Sequence, residues 1–288
     1  MILALVMLLQ GCMAKNPFAD ATTQTTESTT STTSSTTQEP PPVEIIPPEY
    51  TYLSEYATQN SGYLSSGGNP HYLRLINKEF NGFGDAQYVP QNLISLDSSA
   101  TLGGKEIKLE ARAARALYSM LDEMRLAGID YVRVVSGYRS YEYQEELYEG
   151  YKLQEMKRIS EEAYDFFGVE YIQNKYLSHG LYALDAEDAE TVANYYSARP
   201  GTSEHQTGLC IDFMTLYMSA LDNSFENYDA FHWLSENAYR FGFILRYPQG
   251  KSDVTGYIYE PWHYRYVGRE AASEMHFGNL TLEEYLLG

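Results

Sequence analysis

The sequence predicts an α+β domain, and two kinds of pattern predict it. Apolar residues recur at helical spacing over 109–124 and over 231–241, with charged residues between them and Gly128 and Gly242 as stops. Four short runs read instead as strands: 131–135, 209–214, 243–247 and 257–260. The first alternates apolar and polar residues, and the second is apolar nearly throughout. A chain of 288 residues accommodates one well-buried domain plus extensions, and no period of about 20–50 residues points to a solenoid.

Taken in order, Met1 to Leu9 is uncharged, apolar and too short to span a bilayer, and it leads into Leu9-Gln-Gly-Cys12. This stretch resembles the lipobox of bacterial lipoproteins, in which the cysteine is lipidated, so residues 1–12 are expected to be a signal ending at lipidated Cys12. Residues 13–48 are dominated by Thr and Ser and then Pro; they lack the apolar surface to offset ordering entropy and are expected to act as a tether. Residues 49–70 show no clear period and form an approach segment. The domain proper is expected over 71–288.

Within it, the helix over 109–124 is followed by the strand 131–135, which delivers Ser136-Gly-Tyr-Arg139 at its end, and Ser140 is placed to cap a helix starting near Tyr141. Residues 185–198 read as a capped acidic helix. After the 231–241 stripe and its strand, 251–256 makes a polar turn, 257–260 returns as a strand carrying Glu260 and His263 at its far end, and 281–287 closes the chain as a short helix.

Lys and Arg number 20 against 39 Asp and Glu, a formal net charge of -19, which argues against nucleic-acid or anionic-membrane binding through a basic face. Only Cys12 and Cys210 occur, so no disulfide framework supports the fold. Cys210 reads as a small buried hydrophobe.

Chemistry concentrates in Arg199 to Phe213 and in Glu260-Pro-Trp-His263. His205 and Asp212 lie seven residues apart, and His263 follows Glu260 by three. A catalytic zinc site needs three ligands from the His, Asp and Glu set, an open position for water and a nearby carboxylate to handle that water's proton. These four residues fill those roles. A carboxylate within the apolar run 209–214 is costly unless paired or metal-bound. The pattern alone fits a zinc site and a structural His/Asp pair equally well. Of the six histidines, 71, 179, 232 and 276 have no partner pattern.

Three ordered blocks decide between them. Ser136-Gly-Tyr-Arg-Ser140, Ser203-Glu-His-Gln-Thr-Gly-Leu-Cys-Ile-Asp212 and Glu260-Pro-Trp-His-Tyr-Arg-Tyr-Val-Gly268 resemble the signature blocks of the VanY-type zinc D-alanyl-D-alanine carboxypeptidases, to which the VanX dipeptidases are more distantly related. The resemblance runs, with gaps, from about Tyr72 to Leu287, and implies helices packed around a small, mainly antiparallel sheet carrying a zinc site. By resemblance, His205, Asp212 and His263 bind Zn²⁺ and Glu260 is general base, then general acid. Arg139 stabilises the oxyanion or anchors the substrate carboxylate, and Ser203 and Gln144 contact substrate. Glu204 and Trp262 orient and pack the ligands.

The activity implied is removal of C-terminal D-alanine from peptidoglycan stem peptides, by an enzyme tethered to the extracytoplasmic face of the membrane through Cys12. An L,D-carboxypeptidase acting on tetrapeptide stems shares the same blocks. A non-catalytic peptidoglycan-binding lipoprotein is the reading from another class.

Overall fold

The computed structural model describes residues 50–80, 83, 87–167, 190–191, 193–194 and 196–288. The expected signal with its Cys12 and the expected tether lie outside these residues. So does half of the helix expected over 185–198; of its described residues, 190, 191, 193, 194 and 196 are helical and 197 and 198 are not.

Two short helices come first, α1 (Glu55–Gln59) and α2 (Ser61–Leu64). Too short to show a period, they are nonetheless part of the packed fold: Ala57 and Leu64 are fully buried, and Ser54 N–H donates to Glu123 Oε1 at 2.8 Å. The approach segment expected over 49–70 is therefore structural from residue 50 onward.

β1 (Leu93–Ser95) pairs antiparallel with β2 (Lys108–Glu110), which runs into α3 (Ala111–Leu126). The helix expected from Leu109 begins two residues later, because Glu110 caps it by accepting from the N–H groups of Arg112 (2.7 Å) and Ala113 (3.1 Å). Next come β3 (Val132–Ser136), α4 (Tyr141–Phe167), β4 (Cys210–Thr215), α5 (Asp229–Asn237) and β5 (Phe243–Leu245). The chain ends with α6 (Ser252–Thr255), β6 (His263–Tyr266), α7 (Arg269–Gly278) and α8 (Leu282–Leu287).

Four strands form one sheet in the order β3-β4-β6-β5, with every neighbouring pair antiparallel. The stripe over 231–241 divides into α5 and a tighter turn, Ala238–Phe241. The turn expected at 251–256 contains the single helical turn of α6, closed by Gly256 at φ 77°. Residues 257–260 are not a strand. Pro261 has no N–H to extend a ladder, and β5 is already paired through Phe243–Leu245 with Tyr264–Tyr266.

Side chains alternate across a sheet, so register decides what each face carries. Asp212 pairs with His263 and Cys210 with Arg265, which puts all four on one face. The opposite face carries Ile211, Phe213, Tyr264 and Tyr266, all fully buried in a core with Ala113, Leu117, Met120 and Met124 of α3. One face of the sheet packs apolar side chains, and the other gathers buried polar ones.

Gly208 joins that polar face to the turn before β4. Its φ is 70°, and an added Cβ would lie 2.8 Å from Leu93 Cδ2 and 3.1 Å from Glu110 N. Gly208→Ala is expected to cost about 2–5 kcal/mol, the sum of left-handed backbone strain and overpacking. Gly128→Ala has the same backbone sign (φ 85°) but open space around it, and should cost only about 1–2 kcal/mol. Denaturant unfolding of the two variants separates clash from strain.

Candidate active site

The tight turn Glu204–Thr207 carries His205 up to β4. His205 Nδ1 lies 2.7 Å from the carbonyl of Gly137; a carbonyl only accepts, so Nδ1 carries the proton and Nε2 presents a lone pair. That carbonyl can come so close because residue 137 is glycine: a Cβ there would sit 2.7 Å from both Ile107 Cγ2 and Lys108 O. Arg139 N–H returns a hydrogen bond to the His205 carbonyl at 3.2 Å. The block at 136–140 thus orients a histidine 68 residues away.

His263 opens β6 directly beside Asp212. Its Nε2 donates to Glu204 Oε1 at 2.8 Å, while its Nδ1 lies 2.7 Å from Asp212 Oδ1. His205 Nε2 lies 3.3 Å from Asp212 Oδ2, and the two imidazole rings meet edge to face at 4.8 Å. Tyr247 stacks on His263 at 4.9 Å.

Among the described residues, two groups of side chains have donor atoms close enough for one cation, and both include His263: His205/Asp212/His263 and Glu204/Cys210/His263. The first fits Zn²⁺. It offers two nitrogens and a carboxylate, and each imidazole commits its other nitrogen to a protein acceptor, as zinc-binding histidines do. The second does not fit. Glu204 Oε2 already accepts from Arg246 Nε (2.9 Å) and Arg265 Nη1 (3.0 Å), whose positive charges oppose a cation. Burial also pushes the Cys210 thiol up to about 11, so it stays neutral.

Burial and the Arg139 guanidinium hold the His205 imidazole below its ordinary value. Burial disfavours the charged form of Asp212, yet its contacts with His205 and His263 carry its carboxyl well below the usual range. His263 goes the other way: despite burial, hydrogen bonds with Asp212, Cys210 and Glu204 lift it well above an ordinary imidazole.

Glu260 is buried, with Oε2 3.9 Å from His263 Nδ1. Burial, reinforced by the charge of Asp212, raises its pKa to about 8. A cation bound alongside would reverse that shift.

A cavity of about 620 Å³ opens over these groups, lined among others by Arg139, Ser203, Tyr257, Glu260 and Trp262. Arg139 donates from Nε to Ser136 Oγ (3.1 Å), from Nη1 to Gln144 Oε1 (2.9 Å) and from Nη2 to Asp212 Oδ2 (3.2 Å). Gln144 is placed differently from the expected substrate contact. It is 1% exposed, its Nε2 donates to the Ala198 carbonyl at 2.7 Å, and it holds Arg139. Ser203 lines the cavity.

No sequence pattern singled out Arg246 and Arg265, which donate to Glu204, or Glu283, which pairs with Arg246. Yet Arg246 carried the same local signal as Asp212, a charged residue within an apolar run, here 243–247. His71, His232 and His276 are not in either donor group, and His179 lies outside the described residues.

Residues 106–269 match the family described as VanY, D-alanyl-D-alanine carboxypeptidase. The chain is 35% identical over 226 residues to YodJ of Bacillus subtilis, covering 75% of this chain and 68% of that protein. It is 37% identical over 180 residues to a D-alanyl-D-alanine carboxypeptidase of Enterococcus faecalis, covering 62% of this chain and 56% of that one. Among solved structures, a variant of the vancomycin-resistance D,D-pentapeptidase VanY in complex with Zn(II) aligns with a TM-score of 0.54 at 34% identity, over 75% of this chain and 99% of that one. The LdcB LD-carboxypeptidase aligns with a TM-score of 0.56 at 31% identity, over 76% and 88%.

Two predictions follow from the donor geometry. Cys210→Ser should bind zinc within about threefold of the unsubstituted chain, whereas His205→Ala should weaken binding by on the order of a hundredfold or more, read by competition with a chromophoric chelator. Glu260 and His263 both have raised pKa values, so both hold protons at pH 7 before a cation enters. Zinc uptake should therefore release on the order of one to two protons at that pH, and affinity should rise as pH increases toward 8. Calorimetry in buffers of different ionisation enthalpy measures the release; uptake without proton release would contradict the assignment.

Proposed function

The chain belongs to the VanY family of D-alanyl-D-alanine carboxypeptidases, and on that footing we propose that it is a zinc carboxypeptidase that removes the C-terminal D-alanine from peptidoglycan stem peptides. One observation carries the reading. Two histidines, each with its remote ring nitrogen tied to a protein acceptor, converge on Asp212 beside a buried Glu260 and a pinned Arg139, at the wall of one cavity.

In this reading His205, Asp212 and His263 hold the ion. Bound Zn²⁺ supplies Lewis acidity, which lowers the pKa of water toward about 7 and polarises the scissile carbonyl. Glu260 takes the proton of the attacking water and returns it to the nitrogen of the departing D-alanine, so that one carboxylate serves as base and then acid. Three of the five N–H groups of Arg139 are used by Ser136, Gln144 and Asp212, and the other two serve the developing oxyanion or the terminal carboxylate of the substrate. Ser203 contributes a hydroxyl at the same wall.

The reading extends to location. Lipidation at Cys12 and the Thr/Ser/Pro-rich segment after it would hold the enzyme at the outer face of the membrane, within reach of the wall. Cys12→Ala should move the protein from the membrane fraction to the soluble fraction while leaving turnover of soluble muropeptides unchanged.

The deciding assay supplies the zinc-loaded chain with matched muropeptides ending in pentapeptide or tetrapeptide and follows released D-alanine by mass spectrometry. Chelator-sensitive release from pentapeptide is the expected result. Release from tetrapeptide alone would transfer the assignment to an L,D-carboxypeptidase, and no release from either would favour a binding protein. Glu260→Gln should retain zinc and lose about 10²–10⁴-fold in turnover; full activity in the zinc-loaded variant would remove Glu260 from the mechanism.

A further inference from the structure

His263 is held in place from a helix that lies outside all three sequence blocks. Glu283, on α8, receives both terminal nitrogens of Arg246, Nη1 to Oε2 at 2.8 Å and Nη2 to Oε1 at 2.6 Å, and also accepts from Asn77 Nδ2 at 3.0 Å. With its fork fixed in this way, Arg246 aims Nε at Glu204 Oε2 (2.9 Å), and the other oxygen of Glu204 accepts from His263 Nε2 (2.8 Å). Glu283, Asn77, Arg246, Glu204 and His263 are all buried. Arg246 reaches His263 by a second route as well: its guanidinium lies 4.9 Å over the Tyr247 ring, and that ring stacks on His263.

We propose that Glu283 is a positioning residue for the metal. Through Arg246 it fixes the Glu204 carboxylate against His263 Nε2–H, and so sets how tightly Nδ1 binds zinc. The inference rests on the ligand set of the proposed function. Arg265 also donates to Glu204 Oε2, through one N–H at 3.0 Å as Arg246 does at 2.9 Å, and either bond alone would let that oxygen swing about it. Two guanidiniums arriving from different elements remove the pivot.

Charge count points the same way. Glu204 and Glu283 balance Arg246 and Arg265, so the network is neutral around an imidazole that must be uncharged to act as a ligand. Neutralising Glu283 leaves an uncompensated positive charge close to a site for a dication. Both arguments predict weaker zinc binding and not merely a less stable fold.

The test uses the full chain in three forms: unsubstituted, Glu283→Gln, and the double variant Arg246→Met/Glu283→Leu, which removes both buried charges together. Zinc affinity is measured by chelator competition, the Nε2–H proton of His263 by NMR of the zinc-loaded protein, and folding by the thermal midpoint. Glu283→Gln should bind zinc about 10–100-fold more weakly, the usual effect of disturbing a partner of a metal ligand. Its downfield ring N–H signal should shift or be lost to exchange with water. The double variant, which leaves no unpaired charge, should recover thermal stability while still binding zinc at least about tenfold more weakly, and it carries the test if Glu283→Gln does not fold. Unchanged affinity and an unchanged ring N–H signal, with only the midpoint lowered, would overturn the proposal. An unsubstituted chain that binds no zinc would instead bring down the ligand assignment itself.

Discussion

The structure depends on a carboxylate that could not stay ionised alone. Glu204 is 2% exposed, and a lone carboxylate so deep would take up a proton before paying its full desolvation cost. Arg246 and Arg265 on one oxygen, with the His263 N–H on the other, hold it ionised and carry its pKa well below the usual range despite burial. Removing one partner from such a network costs about 3–5 kcal/mol, because the charge left behind is still buried. The turn before β4, β6, the strand end at Arg246 and α8 are therefore tied to one point.

That point lies on the polar side of a sheet whose two faces do different work. Apolar residues at 211, 213, 264 and 266 pack on α3, and dispersion and burial there fix the register of β4 against β6. Register in turn places Asp212 and His263 side by side. A slip of β4 by one residue would turn Asp212 toward the hydrophobic core and its apolar residues toward the polar side, parting it from His263. Packing on one side is thus the reason that donor atoms meet on the other.

Arg139 illustrates how the block at 136–140 is put to use. It contacts Asp212 directly, and its orientation comes from Ser136 behind it and from buried Gln144 on α4, whose amide is in turn held by the Ala198 carbonyl. A long side chain that would otherwise sample many rotamers is restrained before substrate arrives. The carbonyl of Gly137, in the same block, selects the His205 ring nitrogen that faces Asp212. One short loop orients both the Arg139 guanidinium and the His205 imidazole.

Much of this was legible along the chain. Helical spacing marked α3 and α5. Asp212 stood out as a carboxylate in an apolar run, and the blocks containing His205, Glu260 and His263 were ordered and specific, because burying a polar group is costly enough to leave a local mark. The strand expected at 257–260 did not form, since strand periodicity cannot foresee which segment a three-residue partner will accept. Nor could spacing along the chain reveal that Gln144 turns inward, that Arg246 and Glu283 pair across 37 residues, or that Glu204 takes the remote nitrogen of His263 across 59. Residue types and their local order were determined by sequence alone. The ring nitrogens left as donors, and the charges left paired, were decided by tertiary structure, because hydrogen-bond direction is set only when the packed sheet brings distant partners within about 3 Å.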